Sequence, residues 1–191
     1  MDRLGFYFNG DRCVGCRACQ IACKDKNDLE VGILYRQVRS YETGAFPNPG
    51  YYHHSSTCNH CAKPACVVTC PSGALHIADN DTVQIDTDIC IGCQSCVRSC
   101  PYGVPQFFED REVSGKCNFC IDLINQGQNP VCVDACPQRV LEWGGLDKLE
   151  ALHPEAVRDL PILPLSDKTQ PSTLITPRAC ALDTRPRLKL I

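Results

Sequence analysis

Sixteen of the seventeen cysteines in this chain fall into four groups of four, and that spacing leaves few folds open. The groups are Cys13, Cys16, Cys19 and Cys23; Cys58, Cys61, Cys66 and Cys70; Cys90, Cys93, Cys96 and Cys100; and Cys117, Cys120, Cys132 and Cys136. The first and third read C-x2-C-x2-C-x3-C, and the last three all end in C-x3-C-P. Three thiols two residues apart can curl around one corner of a common ligand, while the next helical turn carries the fourth thiol away. That last sulfur must serve a different centre. Pro71 and Pro101, with fixed φ and no N–H, stop the turn on the cysteine. Gly92 precedes the second cysteine of its group, where a small residue lets backbone amides close on a bound sulfur. A secreted disulfide scaffold would need a leader, but Met-Asp-Arg-Leu-Gly-Phe has no apolar core, and the grouping itself points to ligands.

The run C-x2-C-x2-C-x3-C-P resembles the ligand signature of bacterial two-cluster ferredoxins, where three cysteines hold one [4Fe-4S] cube and the fourth holds its neighbour. Applied to both pairs of groups, this exchange gives four complete sets, hence four [4Fe-4S] clusters with iron bound by all sixteen cysteines. Set a is Cys13, Cys16, Cys19 and Cys136; set b is Cys117, Cys120, Cys132 and Cys23. Set c is Cys58, Cys61, Cys66 and Cys100; set d is Cys90, Cys93, Cys96 and Cys70. Every set is all-cysteine, so no three-iron centre is expected. Zinc also uses C-x2-C pairs, but a zinc ribbon needs two such pairs per ion, and the tripled and C-x3-C-P spacings favour iron-sulfur.

The text between the groups predicts an α+β protein made of two ferredoxin-like modules, one inserted in the other. Leu4 to Asn9 reads as a strand, and with Lys24 in place of a proline the first helix can run on to about Asp28. Ile33 to Tyr41 reads as a strand and Gly44 to Gly50, with Pro47 and Pro49, as a loop. Ala74–Ile77 and Thr82–Ile85 read as a hairpin, Ile121–Gln126 as helix, Val140–Trp143 as a strand and Leu146–Leu152 as a helix. Groups one and four are each half of an outer domain, residues 1–57 and 102–145, and groups two and three make an inner domain, 58–101. Six prolines from Pro154 onward predict an extended tail in place of a core. Ile162, Leu163, Leu165, Leu174 and Ile175 are apolar for a disordered stretch, so residues 146–191 are expected to pack on a partner. Cys180 lies outside every group and reads as a free thiol.

The formal charge of -3 counts cysteine as neutral, whereas each four-iron cluster with its thiolates carries roughly -2. Arg17, Lys63, Arg98, Arg111 and Lys116 stand in or beside the groups, as solvated charges or as cations that raise a cluster's potential. No basic run is dense enough for nucleic acid, and no apolar segment is long enough to span a membrane. His53, His54 and His60 get no ligand role, since each set already has four thiols. Tyr102, Phe107, Phe108 and Trp143 are expected to shield clusters from water. No nucleophile-base set or phosphate-binding loop is present, so the chain is not expected to be an enzyme alone.

The chain resembles the four-cluster iron-sulfur subunits of bacterial molybdenum or tungsten bis-pterin oxidoreductases, and among them the dimethyl sulfoxide reductase iron-sulfur subunit family. The likeness is carried by Gly5-Phe-Tyr, Ala-Cys-Lys-Asp at Cys23, Cys58-Asn-His-Cys, Cys70-Pro-Ser-Gly-Ala, Cys90-Ile-Gly-Cys and Cys100-Pro-Tyr-Gly-Val-Pro-Gln, with the Cys117 and Cys132 groups. It implies an electron-transfer subunit working between a quinone-reactive membrane anchor and a large molybdenum or tungsten catalytic subunit. It also implies synthesis in the cytoplasm and a peripheral place in a membrane-associated complex, on the cytoplasmic face or, by co-export, the periplasmic face. A free polyferredoxin and a zinc-stabilised scaffold are the alternatives; the tail weighs against the first.

Overall fold

The computed structural model describes residues 3–190. In chain order the elements are β1 (Leu4–Asn9), α1 (Ala18–Lys26), β2 (Gln37–Ala45), β3 (Asn48–Ser56), α2 (Ala65–Val68), β4 (Leu75–Ile77) and β5 (Val83–Ile85). There follow α3 (Ser95–Ser99), β6 (Gln106–Phe108), β7 (Val113–Gly115), α4 (Ile121–Ile124), α5 (Val131–Asp134), β8 (Leu141–Gly145), α6 (Leu146–Leu152), β9 (Thr173–Thr176) and β10 (Arg187–Leu190). The fold is mixed α and β, as expected.

Proline sets the helix lengths. α2, α3 and α5 stop just before Cys70-Pro71, Cys100-Pro101 and Cys136-Pro137, and each is only four or five residues long. With Lys24 in that place, α1 runs to nine residues and ends where the Asn27 side chain donates to the Cys23 carbonyl at 2.7 Å. The helix ends at Lys26, two residues short of the expected Asp28.

Four small sheets carry these turns. β1 pairs antiparallel with β8, Phe6 opposite Trp143, so the strand before group one lies beside the strand after group four. β4 and β5 form the expected hairpin between groups two and three, and β6 with β7 form a second. α1 packs on α5, and α2 on α3. β2 and β3 pair over nine residues each, so the expected loop at Gly44–Gly50 is instead the end of a long hairpin with only Phe46 and Pro47 unpaired. Regular pairing runs through Pro49 because it sits opposite Gly44 near the hairpin tip, on β3 at the sheet edge.

The tail does not lie free. β9 adds parallel to β1, with Tyr7 beside Leu174 and Phe8 beside Ile175, and both tail residues are 2% exposed. β10 adds antiparallel to β2. Residues just before β9 strap the loop of group two: Ala62 and Lys63 donate to the carbonyls of Gln170 and Thr169, and Ser172 donates to Asn59 O, at 2.8–2.9 Å. Leu174 and Ile175 thus pack on this chain's own sheet, correcting their reading as partner-facing. Prolines exclude regular structure only where they stand, and Thr173-Leu-Ile-Thr176 between Pro171 and Pro177 is free to take the open edge of β1. Ile175→Ala, which empties a place among Phe6, Phe8, Val38 and Leu141, is expected to cost about 2–5 kcal/mol. The check is a thermal midpoint several degrees lower.

Candidate iron-sulfur sites

Each predicted set is brought together. Cys58, Cys61, Cys66 and Cys100 ring a concavity of about 380 Å³, open mouth included, with Val83, Tyr102, Val104, Lys116 and Thr169 in its wall. Cys13, Cys16, Cys19 and Cys136 ring another of about 330 Å³, with Val38, Ser55 and Val140. Cys70, Cys90, Cys93 and Cys96 ring a third of about 280 Å³, walled by Leu75, Ile85, Ile91 and Ser114. Cys23, Cys117, Cys120 and Cys132 are all buried, and Cys23 feels the charges of the other three. In every case the last thiol comes from the paired group, as the crossed spacing requires.

One backbone device recurs at all four loops. Gly15, His60, Gly92 and Phe119 each precede the second cysteine of their group, and all are left-handed, with φ of 67°, 42°, 65° and 66°. That turn points successive amides inward, making a concavity suited to an anion. Backbone N–H groups do reach the sulfurs: Phe119 donates to Cys117 Sγ at 3.4 Å, Val140 to Cys136 Sγ at 3.4 Å and Ser114 to Cys90 Sγ at 3.5 Å. Glycine takes this conformation without strain. A Cβ on Gly92 would stand 2.3 Å from the Glu112 carbonyl oxygen. Gly92→Ala is therefore expected to cost at least about 1–2 kcal/mol from the backbone alone, and to lower the iron held by set d before the others, measured as iron per chain.

His60 and Phe119 hold the strained conformation by packing. His60 is fully buried and Phe119 nearly so. Phe119 stacks on Phe6 at 4.1 Å between ring centres, meets Trp143 edge-on at 6.3 Å, and meets His60 edge-on at 5.1 Å. His60 Nδ1 accepts from the Val83 amide at 3.1 Å, which leaves the ring proton on Nε2. Burial, then the charge on Lys116, pushes its pKa well down, so the ring is neutral. Of the four aromatics expected to shield clusters, Tyr102 lines the set c concavity and shares a hydrogen bond with Thr169 at 3.1 Å, while Phe108 is buried and Phe107 and Trp143 half-buried outside the three ringed spaces.

The donor sets fit iron-sulfur clusters. Four thiols stand around a void with amides aimed at sulfur, and among the described residues no three Cys, His, Asp or Glu side chains converge as one bare ion would need. Burial pushes the Cys61 and Cys66 thiols up to about 12 and the Cys120 thiol up to about 11. Iron bound by these thiols would take the place of those protons.

Of the five cations flagged in the sequence, Lys63, Arg98 and Arg111 are exposed and Arg17 partly so. Lys116 is 3% exposed and donates to the Cys117 carbonyl at 2.9 Å and to that of Val83. Arg36 is buried beside the sites and escapes sequence reading, because an arginine just ahead of an alternating strand looks like any solvated one.

The 4Fe-4S dicluster domain model matches residues 50–146, and a 4Fe-4S binding domain model matches residues 10–31. The chain is 39% identical over 185 residues to the B subunit of anaerobic dimethyl sulfoxide reductase from Escherichia coli, covering 93% of this chain and 90% of that one. It is 38% identical over 190 residues to the corresponding subunit from Haemophilus influenzae, covering 95% and 92%. A thiosulfate reductase electron transfer subunit of Salmonella typhi is 39% identical over 142 residues, covering 73% and 74%. With relatives this similar over nine-tenths of its length, and with its cysteines placed in four sets, the chain belongs to the dimethyl sulfoxide reductase iron-sulfur subunit family.

Proposed function

We propose that this chain is the electron-transfer subunit of a reductase complex, non-catalytic itself, that links a quinone-reactive membrane anchor to a large molybdenum or tungsten bis-pterin subunit. The observation that carries this is the ringing of three separate spaces by four thiols, each time drawn from two groups. We assign four [4Fe-4S] clusters to sets a, b, c and d as named above. Bound there, each cluster takes up and gives back one electron. The protein's own part is to fix the thiols, aim amides at sulfur and keep water away.

The sets form a line. Cys19 and Cys136 of set a share an apolar cluster with Cys132 of set b; Cys117 of set b shares one with Cys58 and Cys100 of set c; Cys66 of set c shares one with Cys96 and Cys70 of set d. The order a, b, c, d also puts the two exposed thiols, Cys16 and Cys93, at opposite ends. The β1–β8 pairing and the α1–α5 and α2–α3 contacts support an outer domain, 1–57 with 102–145, around an inner one, 58–101. Exposed Leu165, Leu182, Leu188 and Leu190 on the C-terminal segment are where a partner subunit would rest. No helix among the described residues is long and apolar enough to cross a membrane. In the proposed complex the anchor is a separate subunit and this one is peripheral, on the cytoplasmic or periplasmic face.

Anaerobic purification with iron and acid-labile sulfide analysis, then reductive titration followed by EPR, tests the proposal. The expected result is about four clusters per chain and a much larger catalytic partner in the same fractions. A colourless, zinc-containing chain overturns it.

A further inference from the structure

We propose that Arg36 holds the electron affinity of centres a and b high, and that Lys116 does the same between b and c. This rests on the cluster assignment above. Arg36 is 2% exposed. Its Nη1 donates to Ser55 Oγ at 3.1 Å, and its guanidinium stands 5.0 Å from the centre of the Phe6 ring. Nε and Nη2 have no partner among the described residues, and Arg36 joins none of their ion pairs.

The missing counter-charge can be located by its neighbours. Arg36 borders a cleft of about 840 Å³, open mouth included, whose wall also carries Arg39, Arg158 and His54 and no carboxylate. His54 is neutral there, since burial, then Arg36 and Arg39, push its pKa down to about 4. Ser55 Oγ, which accepts from Arg36, also stands 3.6 Å from Cys19 Sγ of set a, and the Phe6 ring beside the guanidinium shares an apolar cluster with Cys19 and with Cys132 of set b. The charges of Cys132, Cys19, Cys117 and Cys23, drawn from sets a and b, all bear on Arg36. A desolvated guanidinium with no anion beside it is strongly unfavourable. The anion it faces is therefore the thiolate-bound centre, which carries roughly -2 oxidised and one charge more when reduced.

A fixed cation favours the more negative state, so it favours the reduced one. No bond forms or breaks and no proton moves: one electron arrives from the reductase's donor, and Arg36 stays charged. Lys116 occupies the next junction, bonded to the Cys117 carbonyl of set b while lining the set c concavity. Arg98 beside set d is exposed and donates to the Cys93 carbonyl at 3.0 Å, and a charge screened by water acts weakly, so set d serves as an internal control.

The test uses the purified complex carrying Arg36→Gln, Arg36→Lys or Lys116→Gln, with iron and sulfide counted first and midpoints read by EPR redox titration. Signals are assigned with Cys16→Ser for centre a and Cys93→Ser for centre d. Fewer than four clusters in the unaltered protein would sink the cluster assignment, whatever the potentials. With full iron, Arg36→Gln is expected to weaken reduction of a and b at least about tenfold, 59 mV for one electron, leaving d in place. Arg36→Lys is expected to keep most of the affinity, and Lys116→Gln to weaken b and c but not a. Unchanged midpoints in Arg36→Gln, or equal shifts in all four centres, overturn the proposal. So does loss of iron from a and b in Arg36→Gln, which would make the arginine an assembly group.

Discussion

Stripping iron from the purified chain is expected to unfold it, with loss of most helical far-ultraviolet signal and of any cooperative thermal transition. The elements are too short to stand alone. α2, α4 and α5 are four residues each and α3 is five, whereas isolated helices below about 12–15 residues are marginal in water. Cysteines make up much of the interior: Cys19, Cys132 and Cys136 lie in the main apolar cluster, and Cys66 and Cys96 are half of the buried residues in the inner one. Without clusters, water entering the spaces ringed by the thiols would wet Val83, Leu75 and Val140, apolar side chains that a bound cluster would cover. Binding is thus coupled to folding. The measurement is circular dichroism and a thermal scan of the chain after chelation under reducing conditions, followed by return of iron and sulfide. A sharp transition in the iron-free chain would mean that side-chain packing alone holds the fold.

What the sequence makes legible is local or periodic. β1 at Leu4–Asn9 falls where a short apolar, aromatic run puts it and α6 at Leu146–Leu152 where i, i+3 spacing does, and the β4–β5 hairpin follows from two short apolar runs around Ala-Asp-Asn-Asp. The cysteine sets are readable because the C-x3-C-P turn has a fixed length and can only send its last sulfur outward. Partners far apart in the chain are not readable. Leu174 and Ile175 look the same whether they meet another subunit or β1, and only the open edge of β1, some 165 residues earlier by the register of Tyr7 with Leu174, decides between them. Arg36 escapes for a related reason: its surroundings come from Cys19, Cys117 and Cys132 on three separate segments. The glycines before the second cysteine are ambiguous with ordinary turn glycines. His60 and Phe119, holding the same left-handed backbone without glycine's freedom, make the role of that position plain.

Cys100→Ala is expected to damage the cluster of the preceding group and spare its own. Cys100 belongs by sequence with Cys90, Cys93 and Cys96, and a reader counting along the chain would assign the loss there. α3 (Ser95–Ser99) begins between Cys93 and Cys96 and ends just before Cys100, so its turn carries the last thiol out of the set d concavity. The Cys100 sulfur instead completes the wall formed by Cys58, Cys61 and Cys66. Cys70 does the reverse, leaving its own group for the space lined by Cys90, Cys93 and Cys96. A cube held by three thiols loses one iron readily, so Cys100→Ala should either drop about a quarter of the iron or convert centre c to a three-iron centre with a signal in the oxidised state. Cys70→Ala should do the same to centre d. Because Cys66 and Cys96 share one small apolar cluster, each change also tests how independently the two centres assemble. Iron content and EPR of the oxidised and reduced forms read both variants. Loss of centre d in Cys100→Ala, with centre c intact, would mean that each group holds its own cluster and that the crossed assignment is wrong throughout.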